Sequence, residues 1–270
     1  MTRKFLFITV FVLGLMGLSS CGEYQRVLKS TNPTVKFDYA KKCYDEGKYT
    51  QAASVLQEIV SMFKGTDRAE ETLYMLAMCN YKNKDYLNSG TYFHTYYTRY
   101  PKGKYAEDAR FYSGYGYFLD SPDPQLDQSG TIKAIEELSA FLEYFPQSSR
   151  VPEAQNAIFD AQDKLALKQL QNAQLYYNLG TYGGNNYQSA IITAQNALKK
   201  FPYSKYKEQM EMLILKSRFK EAENSVAEKQ GDRYTQVIDE YFSFINNYPE
   251  SNYRSEADNI YKIASKHVSH

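Results

Sequence analysis

Thiols, imidazoles, paired carboxylates and glycine-rich turns are the groups through which a chain of 270 residues could do chemistry, and here each is scarce. The three histidines are His94, inside a predicted helix, and His267 and His270 at the C-terminus. The terminal pair could share a helix face, but a metal centre needs further ligands, so the reading is plain surface and no metal. Glu70-Glu71 falls where a helix starts, a placement that favours the helix dipole, and Glu136-Glu137 reads as a solvated helix face. Glycan cleavage would need two carboxylates across a cleft with separated pKa values. Gly183-Gly184 has no preceding strand and no Gly-Lys-Ser/Thr, so it is not a phosphate loop. The sequence therefore predicts no enzyme and no cofactor. Lys plus Arg is 32 against 31 for Asp plus Glu, with no basic cluster, which argues against nucleic acid. What the chain has in abundance is tyrosine: 27 Tyr and 15 Phe with no Trp. Such rings, apolar in body and polar at the tip, suit recognition surfaces as well as core.

The remaining reactive group is Cys21. Arg3 and Lys4 precede an apolar run from Phe5 to Leu18, too short for a membrane span and suited to a signal-peptide core. The run ends in Leu18-Ser19-Ser20-Cys21, which resembles the bacterial lipobox. That resemblance implies cleavage before Cys21 and a lipidated N-terminal cysteine, with residues 21–33 as a tether. A plain secretory signal with an incidental Cys21 is the alternative. Cleavage removes Arg3 and Lys4 and no acid, taking the formal charge from +1 to −1. No later stretch approaches 18 consecutive apolar residues, so the anchor would be the lipid. Cys43 and Cys79 are too few for a disulfide framework and read as buried thiols, with a bridge between them open in an oxidising compartment.

Aromatic-Pro turns punctuate the rest of the chain: Tyr100-Pro101, Phe145-Pro146, Phe201-Pro202 and Tyr248-Pro249, preceded by a variant, Phe63-Lys64-Gly65. Proline just past an apolar-periodic stretch stops a helix, and the Ser or Gly and acids that follow start another. Counting back from each stop aligns Ala52, Ser89, Ala134, Ala190 and Val237. The same count aligns Leu56, Phe93, Leu138, Ala194 and Tyr241, then Ile59, Tyr96, Phe141, Ala197 and Phe244. Steps of four and three put these sets on one helix face, small residues where helices approach and large ones between them. A register offset of 37 carries Ala40 to Ala77 and on to Gly114. Longer spacings later require a loop from Asp120 to Gly130, a long helix from Val151 to Leu179 and a helix from Lys205 to Glu228 ending near Gly231. A last helix from Tyr253 to His267 would cap the stack.

This spacing resembles the tetratricopeptide repeat (TPR), and implies an all-α superhelix of about five helix–turn–helix repeats with a C-terminal capping helix. Repeats one to three occupy residues 34–150, and repeats four and five with the cap occupy 151–270, after a leader at 1–20. Turns such as Phe201-Pro202-Tyr203-Ser204-Lys205-Tyr206, in a lipoprotein of this length, are similar to those of the BamD family of β-barrel assembly lipoproteins. The resemblance implies a periplasm-facing outer-membrane subunit without catalysis. Its C-terminal repeats would bind a BamA-like barrel protein with periplasmic domains, and its N-terminal groove would take C-terminal segments of unfolded outer-membrane protein substrates. First helices line the concave side of such stacks. The register places Phe37, Lys41, Tyr44, Tyr74, Met78, Tyr81, Phe111 and Tyr115 there, rings and a cation suited to an extended peptide with an aromatic residue and a terminal carboxylate. Another TPR scaffold, such as a pilotin or cell-envelope organiser, is the alternative. A glycan-binding surface lipoprotein is disfavoured by the absence of Trp.

Overall fold

The computed structural model describes residues 22–268 and is all-α, with no strand among the described residues. Two compact units divide the chain.

The first unit holds α1 (residues 22–29), α2 (Pro33–Asp45), α3 (Tyr49–Ile59), α4 (Ala69–Lys82), α5 (Tyr86–Arg99), α6 (Ala106–Leu119) and all but the first residues of α7 (Ser129–Tyr144). Local chemistry sets the helix starts. Asn32 accepts from the Thr34 N–H at 2.9 Å with Pro33 in the first turn, and Asp85 accepts from Asn88 N–H. The α2–α3 turn passes through Gly47 at φ +75°, whereas the equivalent α4–α5 turn puts Lys84 at φ 62°. A side chain in that left-handed region is strained. The helix pairs close on the predicted face: Ala52, Ser89, Ala134, Leu56, Phe93, Leu138, Ile59, Tyr96 and Phe141 are all fully buried. Gly114 is needed as glycine, because a Cβ there would sit 2.9 Å from the Leu138 backbone nitrogen.

The second unit holds the loop 122–131, most of α8 (Val151–Leu179), α9 (Asn186–Lys200), α10 (Lys207–Glu223), α11 (Ala227–Asn247) and α12 (Arg254–Ala264). Tyr100, Phe201 and Tyr248, each directly before a proline, leave helical geometry at the ends of α5, α9 and α11, as the clash of the proline ring with the preceding residue demands. Ala190, Val237 and Ala194 are fully buried, and Tyr241 and Phe244 nearly so. α12 seals α10 and α11 through Ala257, Ile260 and Ala264. The break before α11 differs from expectation: it falls at Asn224–Val226, and Gly231 lies inside α11. Ser225 turns its hydroxyl back on the Glu221 carbonyl, and the exposed Gly231 meets nothing that its missing Cβ would touch. α12 is likewise shorter than the expected Tyr253–His267.

Cys43 and Cys79 are both buried and unbridged. Cys21 and the leader before it, like His270, lie outside the described residues.

Candidate functional site

The repeat register places Phe37, Tyr74 and Phe111 at equivalent points of α2, α4 and α6, each covered by a flat group from the turn that follows. The Arg68 guanidinium lies 4.8 Å from the Phe37 centroid, Tyr105 stacks on Tyr74 at 4.0 Å, and Arg150 lies 4.8 Å from Phe111. Stacked rings and guanidinium–ring pairs of this kind are favourable contacts when partly desolvated. Phe37 and Phe111 are therefore core, 4% and 0% exposed, and Met78 at 5% joins them. As liners of an open groove these three expectations are corrected: the rings face the neighbouring helices, and close packing there leaves no room for a ligand.

Lys41, Tyr44, Tyr74, Tyr81 and Tyr115 keep exposed surface. Lys41 bonds Glu71 at 2.5 Å, and that hydrogen bond is the main reason its ammonium pKa is raised. Tyr44 sits edge-on to Tyr49 at 5.7 Å, Tyr81 tilts over Tyr112 at 4.7 Å, and Tyr115 stacks on Phe111 at 5.1 Å. Burial pushes the Tyr44 hydroxyl up to about 12 and raises those of Tyr74 and Tyr81 further, with the Asp108 carboxylate adding to the effect at Tyr74. All three stay neutral across the physiological range and can donate hydrogen bonds.

Beside these rings lies a polar depression of about 570 Å³ lined by Lys104, Glu107, Asp108, Ser149, Arg150 and Glu153. Arg150 donates from Nε to Asp108 at 3.1 Å and from a terminal nitrogen to the Tyr112 hydroxyl at 3.2 Å. None of these polar groups was among the predicted site residues. A signal for Arg150 existed: Arg68, Tyr105, Arg150, Tyr206 and Tyr253 all stand four residues after the turn position that proline usually fills.

Glu70, Glu71 and Glu137 bond to neighbouring side chains or turns, while Glu136 stays exposed as expected. Glu70 accepts from the Tyr96 hydroxyl and from the Lys104 N–H at 2.6 Å, tying one repeat to the turn of the next. Glu107 likewise accepts from the Ser148 hydroxyl at 2.6 Å. In the second unit Ser204 bonds Asp163 at 2.7 Å and Ser251 bonds Glu208. Glu137 is not on a solvated face: its side chain is 12% exposed, accepts from the Tyr97 hydroxyl at 2.6 Å and lies 3.4 Å from His94 Nδ1. His267 stacks on Tyr234 at 4.3 Å. Among the described residues no group of three His, Cys, Asp or Glu is placed to hold a metal, and no helix is long and apolar enough to cross a membrane.

The family model described as "YfiO: Outer membrane lipoprotein" matches residues 29–184, more than half the chain. A curated protein of Aquifex aeolicus (strain VF5), named as a putative outer membrane protein assembly factor BamD, is 25% identical over 204 residues. The match covers 75% of this chain and 65% of that protein, just under two thirds of the relative's length. Among solved structures, the TPR2AB-domain:pHSP90 complex of yeast Sti1 aligns over 86% of this chain and 98% of that one, at 12% identity and a TM-score of 0.39.

Proposed function

The chain belongs to the YfiO family of outer membrane lipoproteins, and from that premise we propose that it is a non-catalytic, BamD-like subunit of the machinery that assembles β-barrel proteins into the outer membrane. In this reading Cys21 carries the lipid anchor and the domain faces the periplasm. The first unit receives the C-terminal segment of an unfolded barrel substrate, and the second unit holds a BamA-like barrel protein through that partner's periplasmic domains.

The observation that carries the substrate half is the line of half-exposed rings Tyr44, Tyr74, Tyr81 and Tyr115 with Lys41 at its edge. The protonated hydroxyls of Tyr44 and Tyr81 can donate to the main chain of an extended peptide, the exposed ring edges take its aromatic side chain, and the Lys41 ammonium, exchanging Glu71 for the ligand, suits its terminal carboxylate. The second unit offers separate apolar surface: Tyr203, 89% exposed, beside Phe159 and Pro202 in one depression, and Tyr182, 83% exposed.

Affinity isolation of the tagged, lipidated protein from detergent-solubilised outer membrane tests the reading. Recovery of a barrel protein with repeated periplasmic domains, lost when Tyr203 and Phe159 become aspartate, is the expected outcome. Recovery of a secretin ring in its place would move the assignment to a pilotin-like scaffold.

A further inference from the structure

We propose that α1 is a membrane-contact element that seats the first repeat directly on the lipid surface with no flexible spacer. The inference rests on the reading of Cys21 as the lipidated residue.

Residues 21–33 as a free coil would reach about 20 Å from the membrane. The structure leaves almost none of that length free. Cys21 is bonded to Gly22, and by Glu23 the chain is already docked: the Glu23 carboxylate accepts from Lys42 Nζ at 3.0 and 3.2 Å. Tyr24 donates its hydroxyl to Ser54 Oγ at 3.1 Å and stacks on Tyr39 at 6.2 Å. Val27 is 7% exposed in the core of the first repeat, with Leu28 packed against the same cluster. Two extended residues span about 7 Å, so the Cys21 Cα would lie no farther than that from the Glu23 Cα, with the thioether one short side chain beyond it. The acyl chains must therefore enter the bilayer at the edge of α1.

The exposed face of α1 matches what it would meet there. Gly22, Gln25, Arg26 and Lys29 are exposed at helical spacing and form one stripe. Glu23 is also exposed beside that stripe but is paired with Lys42, and among the described residues neither Arg26 nor Lys29 is in an ion pair, so the exposed face of α1 keeps two uncompensated cations. Its apolar side chains are spent on the domain, so α1 lies on the headgroups and does not sink among the acyl chains. A basic stripe beside a lipid anchor is complementary to an anionic headgroup layer.

The chain contains no Trp, so one introduced Trp is an unambiguous reporter. The full-length mature lipoprotein, as Gln25→Trp or as Tyr144→Trp on α7 two repeats away, is reconstituted into phosphatidylglycerol-containing vesicles. Part of the lipid is brominated near the headgroup, and flotation is measured on the same samples. The expected result is that both proteins float, that the Gln25→Trp emission is largely quenched and that the Tyr144→Trp emission is not. A Gly-Ser spacer of about twelve residues between Gly22 and Glu23 should abolish the difference. Adding Arg26→Glu with Lys29→Glu should reduce the quenching without releasing the protein. Flotation with equal emission loss at both reporters, or with quenching that ignores the spacer, overturns the seated α1 while leaving the lipid anchor standing. Failure to float overturns the lipidation of Cys21 and the present inference with it.

Discussion

The Arg150 guanidinium lies 4.8 Å from the centre of the Phe111 ring and bonds the Asp108 carboxylate one turn before it on the same helix. One planar group thus closes the hydrophobic interior and floors the polar depression beside it. The two preceding repeats reach the same end with Tyr105 on Tyr74 and Arg68 over Phe37.

Lysine cannot replace this arginine, because a point charge loses both the flat stacking surface and the forked hydrogen bonds. Arg150→Lys is expected to cost about 1 kcal/mol, the scale of one partly desolvated cation–ring contact. Thermal unfolding checks it; a midpoint equal to that of the parent would mean that the stack contributes nothing.

Two glycines on α6 should answer oppositely to alanine. At Gly116 an added Cβ would meet only ordinary contact, 3.4 Å from the Tyr86 carbonyl, so Gly116→Ala should stabilise by about 0.5–1 kcal/mol through helix propensity. At Gly114 the same methyl would press on the Leu138 backbone, and Gly114→Ala should destabilise by about 1–3 kcal/mol. Denaturant titration of the pair reads both signs, and a stabilising Gly114→Ala would overturn the close α6–α7 approach.

Lys84 occupies the left-handed turn position that Gly47 fills one repeat earlier. Lys84→Gly should raise stability by about 0.5–1 kcal/mol, the relieved strain less the entropy that glycine adds to the unfolded chain. Gly47→Ala should lower it by a similar amount, measured on the same denaturant curves.

Burial raises the Cys79 thiol from its ordinary value near 9 to about 12, and the Tyr44 hydroxyl moves to a similar value from near 10. Folding therefore favours the protonated forms. Their stabilising effect is complete below pH 9, then declines between about pH 9 and 12, because the unfolded chain releases these protons first. Unfolding free energy followed by urea titration from pH 7 to 11 should fall at the alkaline end. In Cys79→Ala the fall should be shallower, and an identical slope would remove Cys79 from the effect.

The peptide reading makes its own demand. A fluorescent peptide ending in an aromatic residue with a free carboxylate should bind, and Lys41→Glu and Tyr81→Ala should each weaken it by about tenfold, equivalent to 1.4 kcal/mol. Amidation of the peptide terminus should cost the parent protein a similar factor and the Lys41→Glu variant little. Fluorescence anisotropy reads all four numbers; equal affinities for acid and amide would remove Lys41 from carboxylate recognition.

The proline stops and the small residues set back from them were sufficient to place the second helices, because both signals are local. A proline ring clashes with its own neighbour, and a helix face is a matter of period. Ala52, Ser89, Ala134, Ala190 and Val237 are accordingly all fully buried. The start of α11 was less legible: Gly231 suggests a break to any reading of propensity, yet an exposed glycine is tolerated once the rest of the helix packs.

Sequence alone determined the class of fold, the helix-pair register and the scarcity of reactive groups, since each is written in composition or short-range spacing. The tertiary structure decided which rings are interior and which keep exposed surface. Phe37 and Tyr74 share a repeat position, yet Phe37 is buried under Arg68 while Tyr74, stacked on Tyr105, keeps exposed surface and turns its hydroxyl toward Asp108. It also showed that the residues after Cys21 are packed helix, through contacts from Tyr24 to Ser54 and from Glu23 to Lys42. Such contacts join residues far apart in the chain, and no periodicity records them, because they depend on where two separately formed helices come to rest.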